Sequence, residues 1–101
     1  MNTQRKVEFP LGRIVATPGA IEALKRTNAD GLHYLARHSR GDWGELSQED
    51  KETNNQALVT GARIFSAYLL PDETKLWIIT DATIDDHGTR PATTLLLPEE
   101  Y

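Results

Sequence analysis

The sequence predicts an α+β fold: a short N-terminal strand, three helices, then a three-stranded antiparallel meander with the helices packed on one face. Three observations predict it. Residues 62–70, 75–83 and 91–97 are β-prone runs separated by turn sequences. Upstream, Thr17, Asp30 and Ser47 each stand before a helix-compatible stretch as capping residues. The length of 101 residues, with 39% hydrophobic and 26% charged side chains, suits one folded domain rather than a disordered chain.

The elements follow in order. Residues 1–10 are polar and end in Phe9-Pro10, which reads as a loose lead-in. Gly12-Arg-Ile-Val-Ala16 is a short strand. Thr17 then caps a helix over 18–26, with Pro18 at the first helical position, where its missing N–H costs nothing. Asp30 caps a second helix over 31–39, for which Leu32, Leu35 and Ala36 form the expected buried stripe, and Gly41 ends it. Gly41-Asp-Trp-Gly44 is a turn. Ser47 opens a third helix whose Glu49, Asp50 and Glu52 suit the positive end of the helix dipole, and Gly61 closes it.

In the meander, Ile64, Ser66, Tyr68 and Leu70 alternate with Arg63, Phe65, Ala67 and Leu69, so the two sets face opposite ways. Pro71-Asp-Glu-Thr74 supplies a turn. Leu76-Trp-Ile-Ile79 and Leu95-Leu-Leu97 are apolar on both faces, as strands covered on both faces are. Three short helices shelter one face; a homodimer or a groove is expected at the other.

Composition excludes several functions. There are no cysteines, hence no disulfides, thiolate zinc sites or cysteine nucleophiles. No run is long and apolar enough to span a membrane, and the N-terminus lacks the apolar core of a signal peptide, so a cytoplasmic setting is expected. The net charge of −4 is unevenly placed: residues 1–44 carry seven Lys and Arg against four Asp and Glu, residues 45–101 four against eleven. This acidic balance disfavours nucleic acid as a partner and suits a basic protein surface.

Candidate sites are few. Asp81, Asp85, Asp86 and His87 are the closest approach to a metal cluster, but they match no calcium loop and read as a solvated turn. His33, Arg37, His38 and Arg40 crowd one helix, where an imidazole and a guanidinium could serve acid–base chemistry on a phosphate; the same pattern describes a basic helix end that complements the dipole. Trp43 is either an exposed anchor for a partner or a lid over the core, the lid being favoured. Trp77 and Tyr68 are packing residues unless their sheet face is open, when they become a binding platform. Arg63 on a strand signals an exposed face or a specific partner. No P-loop, nucleophile elbow, dinucleotide fingerprint or His-Glu-x-x-His is present, so no cofactor is expected.

The phrases Leu11-Gly-Arg-Ile-Val-Ala-Thr-Pro-Gly-Ala20, Gly41-Asp-Trp-Gly44, Thr74-Lys-Leu-Trp-Ile-Ile-Thr80 and Thr93-Thr-Leu-Leu-Leu-Pro-Glu-Glu-Tyr101 resemble a largely uncharacterised family of short bacterial proteins, described as hypothetical or plasmid-related. The resemblance implies a bacterial, mobile-element setting and assigns no activity to any residue. Two functional expectations follow from the whole chain. The first is a non-enzymatic binding protein with an unknown protein partner, working as a homodimer and using Trp43, Tyr68 or Trp77. The second is a metal-independent ribonuclease of RelE-like or barnase-like layout, with His33 or His38 as base and Arg37, Arg40 or Arg63 on the phosphate.

Overall fold

A computed structural model describes residues 9–101. The expected elements form in the expected order: β1 Arg13–Ala16, α1 Pro18–Arg26, α2 Gly31–Ser39, α3 Gln48–Thr60, β2 Ile64–Leu69, β3 Lys75–Thr80, β4 Ala92–Leu96 and a closing 3₁₀ turn, Pro98–Glu100. Each helix starts where its cap dictates. The side chains of Thr17, Asp30 and Ser47 accept from the amides of Ala20, Leu32 and Asp50, and Gly61 ends α3 in the left-handed conformation.

The fold is α+β, with a sheet of four strands in the order β1-β4-β3-β2. The meander β2-β3-β4 is antiparallel, and β1 joins it alongside β4 in parallel, which makes the sheet mixed. The Gly12 backbone reaches β4 closely enough that a Cβ would overlap the carbonyls of Arg90 and Pro91, at 2.2 and 2.4 Å. The long α1–β3 course between the two strands gives the crossover that a parallel pair needs.

One sheet face carries Ile64, Ser66, Tyr68, Leu76, Ile78, Thr80, Thr93 and Leu95, all buried. Helices α1 and α2 close over it through Ala20, Ala23, Tyr34 and Leu35, while Trp43, Ala57 and Ile64 form a second cluster. Helix α3 lies along the β2 edge. Its buried Asn54 accepts from the Phe65 amide at 3.1 Å and donates to the Phe65 carbonyl at 2.6 Å. Next along, Ala67 pairs with the Trp43 carbonyl and the Glu45 amide. These contacts occupy outward-facing backbone groups that an edge strand would otherwise leave bare.

Two details differ from the expected pattern. The buried stripe of α2 is Tyr34, Leu35 and His38; Leu32 is 71% exposed and Ala36 is also outside. The helix is rotated because His38 finds two buried hydroxyls, so a polar ring enters the core where Ala36 was expected. The lead-in expectation falls mostly on residues 1–8, outside the described residues; Phe9 itself packs against His38 and Trp43. On the outer sheet face Leu96 is buried, whereas Trp77 and Ile79 are half-buried.

Gly44 and Gly88 both hold positive φ, 77° and 83°, in different surroundings. A Cβ on Gly44 would lie 2.0 Å from the Ala67 carbonyl oxygen, whereas nothing lies within 4 Å at Gly88. Gly88→Ala should therefore cost the left-handed penalty of about 1–2 kcal/mol. Gly44→Ala should cost clearly more, since the contact with Ala67 must open too. Urea midpoints at unchanged slope measure the difference.

Candidate functional site

The helix-two residues do not form one site. His38 is completely buried. Its Nδ1 lies 2.5 Å from Ser66 Oγ and its Nε2 2.8 Å from Thr80 Oγ1, which in turn lies 2.7 Å from Thr93 Oγ1. Thr93 donates to the Leu11 carbonyl at 2.7 Å. That last bond sets the direction of the two that lead to it from His38 Nε2, because each threonine hydroxyl has a single proton. Thr80 donates to Thr93, and His38 Nε2–H donates to Thr80. Burial pushes the imidazole pKa down to about 3, which keeps the ring neutral and makes Nδ1 the acceptor from Ser66, so both nitrogens are satisfied. The rings of Phe9 and Trp43 stand edge-on to it at 5.3 and 6.0 Å.

The remaining members point elsewhere. Arg37 is tied to Asp42 by two bonds of 2.7 and 3.2 Å and lies 4.7 Å over the Tyr68 ring. The hydrogen bond from Arg37 holds the Asp42 carboxyl below its usual range. His33 is exposed and stands edge-on to Tyr34, and Arg40 is exposed. Arg63 lies at the opposite side of the sheet. A general base and a phosphate-holding cation are not brought together.

Trp43 takes the lid position: it is 5% exposed, packs with Phe9 and His38, and donates its indole N–H to Asn55. Tyr68 is also not a platform. It points into the core at 1% exposure, and its hydroxyl donates to the Asp42 carbonyl at 2.7 Å. Its place on the same face as Ile64 and Ser66 puts it under the helices. Of the three expected binding aromatics, Trp77, half-buried on the outer face, is the one that reaches solvent.

Around Trp77 the outer face forms a groove of about 410 Å³ between α3 and the sheet. Strand alternation turns Phe65 and Trp77 outward on neighbouring strands, their rings edge-on at 4.9 Å. The 3₁₀ turn brings Tyr101 back over β3, edge-on to Trp77 at 5.8 Å. Arg63 covers the Tyr101 ring at 5.5 Å, and Asp50 and Thr53 of α3 form the opposite wall. The groove therefore combines three rings, one cation and one carboxylate. Phe65, Tyr101 and Asp50 were not singled out from the sequence. Phe65 was legible by its alternation with Trp77; Tyr101 and Asp50 arrive by tertiary folding.

A second hollow, about 530 Å³, lies between Phe9, the end of α3 and the 81–91 loop. Arg90 there is 4% exposed and donates to the carbonyls of Ala57, Ala62 and Asp81, fastening the loop to the C-terminal end of α3. Asp85 accepts from the amides of His87 and Thr89. Among the described residues, no group of three or more His, Asp or Glu side chains is placed to hold a metal ion. Among them, no helix is long and apolar enough to cross a membrane. No family model, curated protein or solved structure matches this chain.

The buried imidazole makes stability depend on pH. A base whose folded pKa is depressed from 6.5 to about 3 leaves the unfolded chain binding more protons between those values. Stability is whole above pH 6.5 and should fall by about 1.4 kcal/mol per pH unit below it, levelling near pH 3. Between pH 6 and 5 the paired carboxylates stay ionised, so the decline there belongs to imidazole. Urea unfolding at pH 7, 6 and 5 should show it for the native chain and a flatter profile for His38→Gln.

Proposed function

We propose that this protein is a non-enzymatic binding module whose recognition surface is the groove of Phe65, Trp77 and Tyr101. The observation that carries this reading is the opposite placement of the two sets of chemistry-bearing side chains. The histidine-centred network is sealed in the core with every proton engaged, while a cluster of three rings lies open on the other sheet face. Exposed aromatic clusters with polar rims are interaction sites more often than accidents of packing.

The chemistry of the groove favours a partner segment with a basic side chain beside an apolar one. Aromatic faces attract cations, and Arg63 over Tyr101 is such a contact within the chain itself. Asp50 offers the carboxylate, and the C-terminal half that builds the groove carries the acidic excess. The partner in this reading is a protein, in keeping with the bacterial setting that the sequence resemblance implies. The ribonuclease reading has no comparable support, since His33, Arg37, His38, Arg40 and Arg63 are dispersed over two surfaces and the core.

The test is titration of the ¹⁵N-labelled chain with short peptides of basic–aromatic, neutral–aromatic and acidic–aromatic composition, read at the Trp77 indole resonance. Basic–aromatic peptides should bind, and Asp50→Lys should weaken them about tenfold or more, as loss of a charge-assisted contact does. Trp77→Ala should abolish binding without lowering the unfolding midpoint enough to unfold the chain. Equal binding of all three compositions, or shifts confined to residues outside the groove, would refute the proposal.

A further inference from the structure

The two edges of the sheet are finished differently. The β2 edge is occupied by Asn54 and by the Trp43–Glu45 segment. At the β1 edge, Arg13 donates to Pro91 and Thr17 to Leu95, which by the alternation of a parallel ladder turns the amides and carbonyls of Ile14 and Ala16 outward. No described residue meets them. The edge is four residues long with Arg13 at its start, and no proline, bulge or charged side chain interrupts it between Ile14 and Ala16. Ile14 and Val15 are 45% and 38% exposed, and Ile21 on the adjoining helix is 48% exposed. The strand is nonetheless held firmly, by the close approach of Gly12 to β4 and by Glu100, which accepts from the Gly19 amide and from the Thr17 hydroxyl at the start of α1.

We infer that β1 is the docking edge for a second copy of this chain, the two β1 strands pairing antiparallel about a two-fold axis at Val15. In that register Ile14 of one copy and Ala16 of the other exchange both backbone bonds, and the reciprocal pair does the same. Arg13 then lies opposite Thr17, so no like charges oppose one another. Charge argues for a copy rather than a foreign strand. The two-fold sets the α1 helices side by side and antiparallel, turning exposed Glu22 of each toward exposed Lys25 of the other, with Ile21 between them. The result is a continuous eight-stranded sheet, with both aromatic grooves on its outer face and away from the two-fold.

Sedimentation equilibrium of the full chain over a dilution series, with amide exchange at both ends of the series, tests this. The expected result is a reversible dimer in which the Ile14 and Ala16 amides exchange at least tenfold more slowly than in the dilute monomer. Val15 should be protected in both. Ala16→Pro removes one outward N–H without touching the β4 ladder and should raise the dimer dissociation constant at least tenfold. Glu22→Lys should raise it too, and the combination of Glu22→Lys with Lys25→Glu should restore it, which holds the test open if the proline variant folds poorly. A chain that stays monomeric at millimolar concentration overturns the inference. So does protection of Ile14 and Ala16 in the monomer, or a dimer indifferent to the substitutions at Ala16 and Glu22. Peptide binding at Trp77 is read separately in Ala16→Pro, so either conclusion can fail without the other.

Discussion

A neutral imidazole held between two hydroxyls organises this fold. His38 links α2 to Ser66 on β2 and Thr80 on β3, and Thr80 passes the chain to Thr93 on β4 and thence to the Leu11 carbonyl just ahead of β1. One helix, three strands and the approach to the fourth are thereby joined by hydrogen bonds of fixed direction. An apolar side chain in place of any member would leave a buried donor or acceptor without its partner. The network also explains why three hydroxyl residues sit in the middle of an otherwise apolar sheet face.

The same economy appears at the periphery. Asn54 satisfies one outward peptide group of β2 and the Asp-Trp-Gly turn satisfies the next, so the third helix is positioned by backbone pairing more than by a greasy stripe. Arg90, nearly sealed and facing three carbonyls, fastens the long loop to the end of that helix. Its charge is balanced by peptide dipoles rather than by a carboxylate, and burial draws its pKa down from the usual arginine value. With helix and loop held in this way, the outer face of the sheet keeps Trp77 and Phe65 within reach of solvent. The two surfaces proposed for recognition, the aromatic groove and the β1 edge, are the places where this closure stops.

Much of the architecture was legible from local chemistry. Capping side chains at Thr17, Asp30 and Ser47 and terminators at Gly41 and Gly61 act over a few residues, so their signals survive in the sequence. Strand alternation sorted Ile64, Ser66 and Tyr68 from Arg63, Phe65 and Ala67 for the same reason. The parallel pairing of β1 was not legible, because its partner lies almost eighty residues away and nothing local specifies it. Nor was the rotation of α2: apolar periodicity favoured Leu32 and Ala36, but a histidine matched with hydroxyls on another element buries at no net loss of hydrogen bonds.

Sequence alone determined the helices, the strands, their order and the amphipathic faces of the meander, since each rests on steric and hydrogen-bonding preferences within one or two turns of chain. Tertiary structure alone decided which chemistry is available to the outside. It sealed His38 and Tyr68, made a lid of Trp43, and gathered Asp50 of α3, Phe65 of β2 and Trp77 of β3 with Arg63 and Tyr101 from outside the regular elements into one groove. The reason is physical: exposure and proximity between distant residues depend on how the layers pack, which is a property of the whole chain and of no segment within it.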